Sequence, residues 1–97
     1  MKIQRIETLR PAARPSLIWV RVHTEDGLVG LGESWFGTAA IDADVHGRLA
    51  PLLLGEDASR IEALHRKMQP YVGFGGTSAE TRALSAIDVA LWDLAGQ

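Results

Sequence analysis

The chain has 97 residues, room for one small domain and not for two. Ten Lys and Arg face twelve Asp and Glu, so the basic excess of a general nucleic-acid binder is missing, and the lack of cysteine excludes disulfides, thiol nucleophiles and thiolate metal sites. A hydrophobic share of 46% spread over short runs fits a folded chain without a membrane span of ~20 residues, and the charged Met1–Arg10 stretch is unlike a signal peptide, so a cytoplasmic address is expected.

Met1–Thr8 reads as a first strand; Ile3 and Ile6 are out of phase for period two, which predicts a bulge or an edge position. Arg10–Ser16, with two prolines and two arginines, reads as a loop. Ser16–Thr24 is the clearest strand, with Ile18, Val20 and Val22 on one face and Leu17, Trp19, Arg21 and His23 on the other. Asp26-Gly27 predicts a hairpin turn into a return strand, Leu28–Ser34, giving a three-stranded antiparallel meander. Gly30-x-Gly32 lacks the third glycine of a dinucleotide fingerprint, since Trp35 stands there; it predicts instead a close backbone approach or a bend.

Helical spacing begins near Thr38, a candidate N-cap. Ile41, Val45, Leu49 and Leu52 form a stripe that Pro51 and Gly55 should end. Asp57 or Ser59 should cap a second helix with the stripe Ile61, Leu64 and Met68, stopped by Pro70. After the glycine-rich Gly73–Gly76 loop, Thr77-x-x-Glu80 should open a last helix carrying Leu84, Ile87, Leu91 and Leu94. Ala83, Ala86, Val89, Ala90 and Trp92 widen its apolar surface beyond what three short strands and two helices would cover. The fold class is therefore α+β: residues 1–37 a meander, residues 38–97 about three helices, all one domain.

No self-contained catalytic set emerges. The three histidines show no metal-ligand spacing and no carboxylate partner by motif, so they read as surface residues. Gly73–Gly76 precedes a helix but lacks the Lys-Ser or Lys-Thr of a phosphate loop, which favours a plain turn. Asp88 and Asp93 lie ~140° apart around a helix and do not converge. Asp88 shares a face with Ser85 and Trp92 and should be satisfied by Ser85, a backbone N–H or the indole N–H. Ser85 has no base near it in sequence. Trp35 and Phe36, at a strand exit, read either as a staple over the sheet edge or as a wall facing a ligand.

The last helix, Ala83-Leu-Ser-Ala-Ile-Asp-Val-Ala-Leu-Trp-Asp-Leu-Ala-Gly96, resembles a signature of the mandelate racemase and muconate lactonizing enzyme family, in the enolase superfamily. The hairpin Val20–Glu33 resembles that family's second and third strands, and Leu49–Asp57 its linker between helices. The resemblance implies an N-terminal capping domain, with the family's (β/α) barrel, its acid/base residues and its Mg²⁺ carboxylates outside these 97 residues. It implies abstraction of the proton α to a carboxylate, with Mg²⁺ stabilising the charge that develops, ending in racemisation, dehydration or cycloisomerisation. The glycine-rich loop tilts the likeness toward sugar-acid dehydratases. On this reading the chain holds no catalytic or metal-binding residue of its own and is inactive alone. Its specificity loops are Pro11–Ser16, with Arg14 meeting a substrate carboxylate, and Trp35–Thr38, with Trp35 or Phe36 as an apolar wall. Its partners are the barrel, a carboxylate small molecule and further copies of itself. The alternative is a self-associating, non-enzymatic module that has kept the capping fold.

Overall fold

A computed structural model describes residues 1–69 and 78–97. Strands β1 (Ile3–Leu9), β2 (Leu17–Thr24) and β3 (Val29–Trp35) form one antiparallel sheet in the order β1-β2-β3. Three helical stretches follow. The first is α1 (Thr38–Asp44), a π-helical turn (Val45–Leu49) and α2 (Ala50–Leu53) in continuous succession; then come α3 (Ile61–Met68) and α4 (Ala79–Ala95). The expected α+β architecture is the one observed.

Sequence phase explains each strand. The register of β1 on β2 shifts between Ile3 and Arg5, and this bulge turns both Ile3 and Ile6 into the core despite their spacing. Strand β2 alternates cleanly: Ile18, Val20 and Val22 are fully buried beneath the helices. Its hairpin to β3 closes with two hydrogen bonds between Thr24 and Leu28, one from Thr24 N–H to Leu28 C=O, 2.9 Å, and one from Leu28 N–H to the Thr24 side-chain Oγ1, 3.1 Å; Gly27 takes φ 87°.

The helical stripe departs from expectation by one residue. Ile41, Val45, Leu49 and Leu53 are fully buried, while Leu52 is only partly so. The π turn widens the helix so that residues four apart keep one face, which carries the stripe to Leu53 instead of Leu52. Pro51 does not end the helix; it stands where the π turn passes into α2, and the chain leaves the helix before Gly55, φ 86°. Thr38 is not the N-cap either. Gly37 is, in the left-handed region, and the Thr38 hydroxyl donates to Pro15 C=O at 3.0 Å. Ahead of α3, Asp57 Oδ1 accepts from Ser59 N–H (3.0 Å) and Ser59 Oγ (2.8 Å), a local turn that takes the place of the cap expected from Asp57 or Ser59; Arg60 is the N-cap. The α3 stripe of Ile61, Leu64 and Met68 is buried as expected. Pro70, the Gly73–Gly76 loop and Thr77 lie outside the described residues; Ser78 is the N-cap of α4.

Helix α4 lies along the inner face of β3 at a distance that only glycine permits. A Cβ on Gly30 would stand 2.1 Å from Ala90 O, and one on Gly32 would stand 1.8 Å from Ala86 O. Both outer edges of the sheet are covered. Residues 55–58 pair with the start of β1, with Ala58 N–H to Met1 C=O at 2.7 Å and Ile3 N–H to Glu56 C=O at 2.9 Å. On β3, Leu31 N–H donates to Asp93 Oδ2 at 2.9 Å and Gln97 Nε2 donates to Val29 C=O at 2.7 Å.

Candidate functional site

The two loops singled out in the sequence meet at one end of the sheet. The β1–β2 loop is a pair of tight turns: Arg14 N–H donates to Pro11 C=O and Leu17 N–H to Arg14 C=O, each at 3.0 Å. The β3–α1 loop is locked against it, because Phe36 N–H donates to Ser16 C=O at 3.0 Å and Thr38 Oγ1 donates to Pro15 C=O. The start of the first loop is tied to α1, where Arg10 Nε stands 3.4 Å from Asp42 Oδ2. Asp42 Oδ1 also accepts from Thr8 Oγ1 at 2.7 Å and lies 3.3 Å from His46 Nε2. Arg14, Trp35 and Phe36 are thus carried by one braced cluster.

All three are exposed. Trp35 follows the outward phase of β3, opposite Leu17, and is 53% exposed; Phe36 is 60% exposed. Phe36 also holds φ 62°, followed by Gly37 at φ 57°. Two successive left-handed residues turn the chain sharply from strand to helix, and the first is bulky, where this conformation is an outlier. The guanidinium of Arg82, from the first turns of α4, lies over the Phe36 ring with Cζ 5.9 Å from the centroid. The sequence reading missed Arg82. Its signal was the row Arg82, Ala86 and Ala90 at i+4 spacing, but only the alignment of α4 on β3 brings it to Phe36.

The histidines depart from expectation, for each has a carboxylate partner. His46 pairs with Asp42 one helical turn earlier, a spacing visible in the sequence. His23 Nε2 bonds Glu7 Oε1 at 3.0 Å across the β1–β2 pair. That hydrogen bond, with Arg5 and Arg21 nearby, holds the Glu7 carboxyl below its ordinary pKa. His65 Nδ1 lies 3.3 Å from Asp88 Oδ1, so Asp88 is satisfied from α3 and not by Ser85, a backbone N–H or Trp92. This last pair lines a shallow groove of about 250 Å³ with Ile61, Glu62, Arg66 and Trp92. Asp93 serves the β3 edge, so the two aspartates do not converge, as expected.

These carboxylates and imidazoles sit on separate faces. Among the described residues no group of three or more His, Asp or Glu is placed to hold a metal ion, and Pro70–Thr77 contains none of these residue types. The side chains here do not fit a Mg²⁺ site. No helix among the described residues is long and apolar enough to cross a membrane.

Comparison with known proteins agrees with this geometry. Residues 7–97 match the family described as "Mandelate racemase / muconate lactonizing enzyme, N-terminal domain". A D-galactonate dehydratase of Verminephrobacter eiseniae is 36% identical over 99 residues, covering 100% of this chain and 25% of the dehydratase. A 3,6-anhydro-alpha-L-galactonate cycloisomerase of Streptomyces coelicolor is 43% identical over 86 residues, 82% of this chain and 23% of that protein. Among solved structures, an enolase protein from Sargasso Sea environmental sequence superposes with a TM-score of 0.94 at 52% identity, over 99% of this chain and 26% of its own. A racemase from Streptomyces coelicolor, solved with bound magnesium, gives 0.80 at 36% identity over 97% of this chain and 32% of its own. The chain spans about a quarter of the length of the curated relatives it matches. The meander, the three helical stretches and the signature on α4 place this chain in the mandelate racemase and muconate lactonizing enzyme N-terminal domain family of the enolase superfamily.

Proposed function

We propose that residues 1–97 form a single substrate-capping domain of an enolase-superfamily enzyme acting on a sugar acid. The reaction is removal of the proton α to the carboxylate, with dehydration or cycloisomerisation favoured by the names of the related proteins. Mg²⁺ and the acid/base groups belong to a C-terminal barrel, which is the domain's first partner, and the cap is not catalytic alone. The observation that carries this reading is the braced pair of loops, which holds Arg14, Trp35 and Phe36 exposed on a rigid frame. Arg14 makes no side-chain hydrogen bond or ion pair among the described residues, which suits it to a substrate carboxylate. The aromatic pair supplies an apolar wall.

The test uses the full-length enzyme. Trp35→Ala and Arg14→Ala should each leave the unfolding transition unchanged and alter the ranking of kcat/KM across aldonates and aldarates. Wild-type ranking in both variants would sink the specificity role. Turnover of a sugar acid by the 97 residues alone would sink the division of labour between cap and barrel.

Self-association is the second reading, and the exposure of Val89 and Trp92 on α4 favours it, at 51% and 57%. Sedimentation of the 97-residue chain at high concentration should then show a dimer; monomer throughout would remove it.

A further inference from the structure

We propose that Arg82 is a positioning residue that holds Phe36 in its left-handed conformation and so fixes the shape of the wall beside the substrate. This rests on the reading of Phe36 as part of that wall. Phe36 occupies a backbone region that side-chain-bearing residues rarely adopt, at φ 62°. Burial does not hold it there, for its side chain is 60% exposed. Two contacts do: its N–H donates to Ser16 C=O, and its ring lies under the Arg82 guanidinium. The stacked ring is the sole side-chain interaction of Arg82 among the described residues, so the guanidinium is not shared with a carboxylate.

The placement of Arg82 is not incidental to a mobile surface. Arg82, Ala86 and Ala90 form one i+4 row of α4. Ala86 and Ala90 lie backbone to backbone on Gly32 and Gly30, leaving no room for even a methyl group. The helix is therefore fixed along β3, and the next residue of that row arrives where β3 ends and Phe36 turns. An arginine there reaches the ring. Lysine keeps the cation and most of the reach, while methionine loses the charge and about two atoms of reach.

The experiment takes the full-length protein labelled with ¹³C at phenylalanine, with the Phe36 signal assigned by its loss in Phe36→Leu. In Arg82→Met the Phe36 Cα shift should leave its left-handed value, and in Arg82→Lys it should be largely restored. With a sugar acid as substrate, Arg82→Met should raise KM about 2- to 5-fold with kcat nearly unchanged, the size of one exposed cation–π contact. An unmoved Phe36 signal in Arg82→Met would overturn the proposal, as would Arg82→Lys behaving like Arg82→Met. If Phe36→Leu leaves KM and substrate ranking unchanged, the wall reading fails, and the Cα shift still decides whether Arg82 positions Phe36.

Discussion

Gly32→Ala tests the arrangement on which the site depends. The new Cβ would stand 1.8 Å from Ala86 O, 2.7 Å from its carbonyl carbon and 3.3 Å from its Cα, all backbone atoms that no rotamer change can move away. Ordinary contact needs about twice the shortest of these separations, so α4 must lift off β3 by more than ~1 Å. Overpacking of this kind costs ~1–3 kcal/mol, and two rigid backbones place the cost at the upper end. Alanine returns ~0.4–1 kcal/mol by narrowing the unfolded ensemble, leaving a net loss of about 2 kcal/mol. Against the ~5–15 kcal/mol of a domain this size, that is a large fraction. Urea unfolding followed by circular dichroism should show the midpoint falling by about 1–2 M at unchanged slope, for a slope of ~1–2 kcal/mol/M. A midpoint within experimental error of wild type would refute the claim that the glycine sets the helix–strand distance.

Three further outcomes follow from the same contacts. Gly47 lies in the π turn with nothing within 4 Å of an added Cβ, so Gly47→Ala should stabilise the domain by ~0.5–1 kcal/mol in the same urea titration. Trp92 is 57% exposed while its neighbour Leu91 is fully buried, so Trp92→Ala should cost about 1 kcal/mol or less and Leu91→Ala about 2–5 kcal/mol by thermal or urea unfolding. The Glu7 carboxyl is held below its ordinary 4.5, chiefly by the hydrogen bond from His23, so its contribution is present above that value and is lost as pH falls through the lowered one. Stability should therefore decline in the acid range below about pH 4.5, and Glu7→Gln should flatten part of that decline; an identical pH profile would deny the pairing.

Much of this fold is legible because its strands and helices obey one period each. Ile18, Val20 and Val22 announce β2, and the mismatch of Ile3 with Ile6 announces the bulge. Gly30 and Gly32 announce a close approach, although not what approaches. The π turn was not legible, because its effect is a shift of one residue, from Leu52 to Leu53, that a fixed helical period conceals. The caps failed for a related reason: Thr38 and Ser59 have the right chemistry, but Pro15 C=O and Asp57 take their hydroxyls first. His46 beside Asp42 was within reach of the sequence. His65 with Asp88, and His23 with Glu7, required the register between elements.

The site divides along the same line. Trp35 and Phe36 stand out in the sequence because two adjacent aromatics at a strand exit are conspicuous, and Arg14 is singled out by the family resemblance of the loop that carries it. What braces them is not, since it consists of backbone carbonyls of Pro15 and Ser16 and of a helix laid on two glycines. The braces are what stability depends on; the exposed side chains contribute little to it. Substitutions at 14 and 35 should therefore leave the fold unchanged and, on the proposed specificity role, alter recognition alone, whereas substitutions at 30 and 32 move the fold and the loops at once. Moving α4 moves Arg82 as well. Gly32→Ala should thus lower stability and move the Phe36 signal together, as Arg82→Met moves it, although it touches neither residue. Lost stability with an unmoved Phe36 signal would separate the two, and would mean that the loop is held by something other than the helix.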